Sequence, residues 1–288
     1  MKKQTKTYLK WLSGALICTA AGCFAYKQNK TLDVNTFTYR NEKIPKSFHG
    51  FRILHLSDLH NARFGFHQRK LCKEIQLADP DIIVISGDLI DKRKCTMDNI
   101  KPALRLIREA VKVAPVYYVP GNHEATSSIY PYLKEQLLAL HVEVLSNSKV
   151  EFCRDHESIT LLGMKDPKFY RQEPGRFERT LRALKDMGDT PFNMLLSHRP
   201  EKMDLYASCG IDLCLCGHAH GGQIRIPRIG GLYAPNQGIF PKYTSGRYEK
   251  GDTTMFVSRG LGNSKAPLRI HNHPQLLLIR LCSNEALS

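Results

Sequence analysis

Five short stretches of this chain carry residue types that bind metal ions or move protons. They read Ser57-Asp58-Leu59-His60, Gly87-Asp88-Leu89-Ile90-Asp91, Gly121-Asn122-His123-Glu124, Ser197-His198 and Gly217-His218-Ala219-His220-Gly221-Gly222. Each has an ordinary explanation taken alone. Asp-x-His pairs sit in turns, Gly-Asp after a strand caps or turns the chain, and single histidines fill loops and cores. That explanation has to hold independently at all five, and the recurrence argues against it. Imidazole nitrogens with carboxylate or amide oxygens, and no required thiolate, favour Mn²⁺, Fe or Zn²⁺ over an all-oxygen Ca²⁺ cage. Asp58, His60, Asp88, Asn122, His198, His218 and His220 are too many ligands for one tetrahedral site. They suit two divalent cations about 3.5–4 Å apart.

The stretches follow apolar, β-rich runs. Strands are expected over 51–57, 81–86, 116–119, 142–145, 193–197, 212–216, 254–258 and 276–281, with a hairpin from 150–153 and 158–164. Helical patterns at 68–78, 99–112, 127–140, 177–187 and 201–208 separate them. Alternating strands and helices followed by a β-rich end fit an α/β domain with two sheets. Ligand sites in such sheets lie at the carboxyl ends of strands, where all five stretches fall. In extended chain, residues two apart point the same way, so Asp58 with His60 and His218 with His220 are expected to project in pairs.

In this order the five blocks resemble the calcineurin-like metallophosphoesterase family over residues 51–223. The flanking Ala234-Pro235-Asn236-Gln237-Gly238 and Ser258-Arg259-Gly260-Leu261-Gly262 are similar to a bacterial membrane-associated branch of it. The resemblance implies two mixed β-sheets packed as a sandwich and flanked by helices, a four-layer fold, with a catalytic domain over 48–288. It also implies that Asp58, His60 and His220 hold one cation, that Asn122, His198 and His218 hold the second, and that Asp88 bridges them. His123 then stands beside the metals as general acid and Asp91 orients its ring. A hydroxide bridging the metals would attack phosphorus in line, hydrolysing a phosphodiester, phosphomonoester or pyrophosphate bond. Asn61, Arg63 and Arg259, beside the motifs, are candidates for binding the phosphate.

Two other functions fit less well. A nuclease of the same fold needs a basic channel and stacking aromatics. A non-catalytic scaffold need not keep every ligand, and here all are present. The 288 residues carry a formal charge of +15, but nine Lys and Arg against Asp33 and Glu42 lie within residues 1–46. The remaining surplus of eight, spread over the whole body, speaks against nucleic acid and for a phosphorylated small molecule or lipid headgroup.

The basic arm brackets an uncharged stretch from Trp11 to Tyr26 with lysines on both sides. Flanking aromatic residues and lysines are interfacial types. They make residues 1–30 an expected membrane anchor or signal segment, and residues 31–47 a tether with an edge strand. The expectation is one N-terminal anchor in the cell membrane, a lipid-linked or envelope substrate, and an extracytoplasmic catalytic body. The nine cysteines are odd in number and several lie in apolar runs, which argues against a disulfide framework, and Cys214 and Cys216 read as small buried strand residues rather than a metal or redox pair.

Overall fold

Runs that are apolar at nearly every position have to bury both faces, and two sheets stacked beneath helices allow it. The computed structural model, which describes residues 2–94, 96–187, 190–263 and 266–284, builds this arrangement from sixteen strands and six α-helices among the described residues. In chain order come α1 (Lys2–Lys30), β1 (Asp33–Asn41), β2 (Arg52–Leu56), α2 (Arg69–Ala78), β3 (Ile82–Ile85), α3 (Lys101–Ala110), β4 (Val116–Tyr118), α4 (Tyr130–Ala139) and β5 (Glu143–Val144). The second half holds β6 (Ser148–Arg154), β7 (Glu157–Gly163), α5 (Arg176–Asp186), β8 (Asn193–Leu196), α6 (Met203–Ser208) and β9 (Leu213–Cys216). Four very short strands follow: β10 (Arg225–Ile226), β11 (Gly230–Gly231), β12 (Tyr233–Ala234) and β13 (Gly238–Ile239). The chain closes with β14 (Gly246–Lys250), β15 (Thr253–Val257) and β16 (Gln275–Ser283).

One sheet has the order β1-β16-β2-β3-β4-β5 and the other β14-β15-β9-β8-β7-β6. Both are mixed: β2 to β5 run parallel beside an antiparallel β16, and β15, β9, β8 and β7 run parallel between antiparallel β14 and β6. The period-two rule divides each strand between two layers. In β3, Ile82 and Val84 face the core between the sheets, while Ile83 and Ile85 join the layer under α2 and α3. In β9, Leu213 and Leu215 face the inter-sheet core, while Cys214 and Cys216 pack beneath α5 and α6. The four layers are therefore helix, sheet, sheet, helix. Every described cysteine is free. Burial pushes the Cys214 and Cys216 thiols well up, which suits packing rather than redox chemistry.

The segment expected as a tether contributes the long edge strand β1. It pairs in parallel with β16 from Asp33↔Gln275 to Asn41↔Ser283. Phe37 and Tyr39 turn inward and bring their rings to 5.0 and 6.4 Å from that of Phe256. The expected membrane anchor is overturned. Among the described residues, no helix is long and apolar enough to cross a membrane. The uncharged part of α1 rises only about 24 Å at 1.5 Å per residue, short of a hydrocarbon core of about 30 Å. Ser13, Gly14, Thr19 and Gly22 dilute it further. With the anchor falls the extracytoplasmic placement built on it. The last turn of α1 is instead tied to the body. Asn29 Nδ2 donates to Pro267 O at 3.0 Å, and Lys30 Nζ donates to Arg63 O at 2.8 Å.

His55 in β2 is a core residue, fully buried, with Nε2 2.8 Å from Ser86 Oγ. Burial, opposed weakly by Asp58, lowers its pKa to about 3. The unfolded chain therefore binds the extra proton between about pH 6.5 and 3, and folding stability falls as pH drops through that window. Metal-free protein with His55→Gln should show a shallower loss of stability between pH 6.5 and 4 than wild type. Urea midpoints measured in chelator at several pH values test this, and parallel curves would contradict it.

Candidate metal centre

The five stretches leave their strands at one edge of the sandwich. Asp58 and His60 follow β2, Asp88 follows β3, Asn122 and His123 follow β4, His198 follows β8, and His218 and His220 follow β9. The pairs are not extended, as expected from spacing, but sit in left-handed turns. Asp58, His60, Asp88, His218 and His220 all have φ between 47° and 68°. Such conformations are costly for these residue types and persist where their surroundings hold them. Asp58 N donates to Gly87 O at 3.0 Å, His60 N to Asp88 O at 3.1 Å, and His218 N to Asp58 Oδ2 at 3.0 Å.

Two nests of ligand atoms result, and His60 also comes close to the Asp91 and His123 side chains. In the first, His220 Nε2 lies 3.3 Å from Asp58 Oδ1 and 3.2 Å from His60 Nε2. In the second, His198 Nε2 lies 3.2 Å from Asn122 Oδ1 and 3.2 Å from His218 Nδ1. Asp88 Oδ2 stands between them, 3.6 Å from His60 Nε2 and 3.2 Å from His198 Nε2. All seven side chains are buried.

The hydrogen bonding around the nests fits cations. His198 Nδ1 faces Ser86 O at 2.7 Å and His220 Nδ1 faces Gly262 O at 3.2 Å, so each ring places its proton on Nδ1 and turns Nε2 inward. Asp58 Oδ1 is buried without a hydrogen-bond partner. Electron pairs thus converge at 3.2–3.7 Å in a space closed to solvent, an arrangement that a positive ion relieves. Charge states agree. Burial alone would raise the Asp88 carboxyl, but His198, His123 and His60 hold it well below the usual carboxylate range. Burial likewise works against Asp58, and His220 and His60 outweigh it. Burial lowers the His220 pKa to about 3 and keeps that ring neutral. His198 is the exception: burial opposes its charge, yet Asp88 lifts its pKa to about 10, so a cation there must displace a proton.

A family model, "Calcineurin-like phosphoesterase", matches residues 51–222. The chain belongs to the calcineurin-like phosphoesterase family. Members of this family use a pair of metal ions, and the chain is a metal-dependent phosphoester hydrolase. It is similar to an uncharacterized metallophosphoesterase, YkuE, of Bacillus subtilis (strain 168). The two are 29% identical over 293 residues, covering 98% of this chain and 99% of that one. It is also similar to the phosphodiesterase YaeI of Escherichia coli (strain K12), with 27% identity covering 80% of this chain and 82% of that one. Among solved structures, TT1561 of Thermus thermophilus shares the fold. Its TM-score is 0.50 at 16% identity, with 74% of this chain and 90% of that one covered.

A cavity of about 320 Å³ opens over the nests, floored by Asp88, Asn122, His123, His218 and His220. His123 Nδ1 lies 3.3 Å from Asp91 Oδ1 and accepts a hydrogen bond from Lys92 N at 3.1 Å. Asp91 is clamped by Arg93, whose Nε and Nη2 donate to its two oxygens at 2.9 and 2.8 Å. Of the residues expected to bind phosphate, Asn61, Arg63 and Arg259 are not among those lining the cavity. Arg259 instead donates to Asp33 Oδ2 at 2.7 Å and helps fasten β1. The cavity's cations are Lys92, Arg93 and Lys168, none of them marked by the five motifs.

Glu124 is a further residue that spacing alone left without a role. Its carboxylate accepts hydrogen bonds from Asp88 N at 3.0 Å, Gly121 N at 2.9 Å and Ile90 N at 3.2 Å, which joins the loops after β3 and β4. Burial and the nearby Asp88 charge push its carboxyl up to about 8. The signal was an acid placed directly after Asn122-His123 in an otherwise buried turn. Close approach also explains Gly217. A Cβ there would overlap Ser57 Oγ and Asp58 Oδ2. Gly217→Ala should cost about 1–3 kcal/mol by overpacking, lowering the melting temperature and the metal content of the first nest together. Unfolding scans with metal analysis check this, and a variant with wild-type metal content would contradict the role given to the glycine.

Proposed function

We propose that Asp58, His60 and His220 hold one divalent cation, Asn122, His198 and His218 a second, and that Asp88 serves both, in a site that hydrolyses a phosphodiester. The placement of Asp88 Oδ2 between His60 Nε2 and His198 Nε2, at 3.6 and 3.2 Å, carries the reading. The nitrogen and oxygen donor set suits Mn²⁺, Fe or Zn²⁺. When bound, such ions polarise phosphoryl oxygens and ready a water for attack near neutral pH. Similarity to the Escherichia coli phosphodiesterase YaeI favours the diester over a monoester or pyrophosphate.

The rest belongs to the chain's own side chains. Lys92, Arg93 and Lys168 make the cavity mouth attractive to an anion. His123 keeps a proton on Nε2, because Nδ1 accepts from Lys92 N, and Nε2 lies 4.0 Å from Asp88 Oδ2 at the cavity floor. To give that proton to the departing alkoxide the ring must carry a second one, on Nδ1, donated in a hydrogen bond to Asp91 Oδ1 at 3.3 Å, so that a neutral imidazole remains after the transfer. Purified protein loaded in turn with Mn²⁺, Zn²⁺ and Mg²⁺ should hydrolyse bis-nitrophenyl phosphate faster than nitrophenyl phosphate. It should retain about two transition-metal ions per chain after desalting. One ion per chain, or no diester turnover with any metal, would overturn the reading.

A further inference from the structure

A second cavity, about 210 Å³, adjoins the one over the metal centre and shares Tyr233 and Pro235 with it. Its other walls are Gly222, Ile224, Leu232 and Ala266. Gln223 joins them, its amide nitrogen and oxygen buried without a hydrogen-bond partner. The rest of the lining is mostly apolar, unlike the cationic mouth beside it. The hairpin segments around it carry more apolar surface: Ile229, Ile239 and Phe240 are 66, 71 and 61% exposed. These belong to or border β10–β11 and β12–β13, two small antiparallel pairs separate from the two six-stranded sheets.

We propose that this cavity holds an apolar substituent of the substrate, so that the enzyme acts on an amphiphilic phosphoester. The proposal rests on the phosphoester reading of the metal centre. A phosphoryl group over Asp88 and His123 has two kinds of wall beside it. Lys92, Arg93 and Lys168 offer charge, whereas Ile224, Leu232, Tyr233 and Pro235 offer only apolar contact. Apart from the Gln223 amide, a polar substituent entering there would find little to replace the water it loses. A hydrocarbon substituent leaves water favourably, and each buried methylene adds to affinity. The shared Tyr233 and Pro235 place both groups of one molecule within reach.

The test compares binding of inorganic phosphate, methyl phosphate and monomeric octyl phosphate to the full chain loaded with Mn²⁺, by calorimetry at several temperatures. Octyl phosphate should bind about tenfold or more tightly than methyl phosphate, with a more negative heat-capacity change. Leu232→Trp, which fills the cavity, and Ile224→Asn, which makes it polar, should each erase that advantage and leave phosphate affinity unchanged. Equal affinities in wild type, or an advantage kept in both variants, would overturn the proposal while the phosphoester reading stands. Failure of phosphate itself to bind would strike that reading, and this one with it. Vesicles containing phosphatidic acid separate the sources. A gain extending to them indicates a bilayer lipid, a gain confined to octyl phosphate indicates a free amphiphile, and both support the apolar site.

Discussion

Asp88→Asn should abolish turnover to about one part in a thousand or less, a loss of some 4 kcal/mol of transition-state stabilisation, and should empty both metal positions together. The reason is geometric. Asp88 Oδ2 is the only carboxylate oxygen placed near both His60 Nε2 and His198 Nε2 among the described residues. Its other oxygen accepts a hydrogen bond from His123 N at 2.8 Å, which an asparagine oxygen can still do. The amide NH₂ would then point into the nests, where it presents hydrogens to atoms that need a cation. The fold should survive, since the substitution keeps size and the His123 contact. His220→Ala is the informative comparison. It removes a ligand from one nest only, so metal analysis should find about one ion per chain rather than none. Full activity in Asp88→Asn, or loss of one ion in both variants, would contradict a shared carboxylate.

Much of this was legible locally. Ile82-Ile83-Val84-Ile85 is apolar throughout because it is buried on both faces, and α2 ends where Asp79 takes φ 41° ahead of Pro80. Polar residues recurring after such strands mark the sheet edge, and every one of the seven ligands expected there is buried at it. What was missed depends on distant parts of the chain. Nothing near Asp33–Asn41 announces that it pairs with Gln275–Ser283, more than 200 residues away. The same pairing places Asp33 beside Arg259, whose Nη2 donates to Asp33 Oδ2 at 2.7 Å. Lys92 and Lys168 reach the cavity from separate loops, and a lysine in a loop carries no sequence mark of what it faces. The N-terminal helix shows the opposite error: a charge-flanked uncharged stretch suggested a span, but its length and its small polar residues do not supply one.

His123→Ala should leave the metal content intact and slow the reaction according to the leaving group. His123 takes part in neither nest of electron pairs: its Nε2 is 4.0 Å from Asp88 Oδ2, and its Nδ1 is engaged by Lys92 N and Asp91 Oδ1. Its contribution is a proton, which an alkoxide leaving group needs and a nitrophenolate does not. For an alkyl diester kcat should fall by about 10²–10⁴-fold, the range general acid catalysis supplies, while bis-nitrophenyl phosphate should lose far less. Asp91→Asn should act through the ring rather than on the substrate. An asparagine oxygen can still accept from Nδ1–H but lacks the charge that favours it, so the fall should be nearer about 10-fold, expressed in kcat with KM unchanged. Steady-state kinetics on the two substrates, beside metal analysis of each variant, make the distinction. Equal losses on both substrates would mean that His123 holds the site together instead of delivering a proton. Metal loss in His123→Ala would mean that it belongs among the ligands.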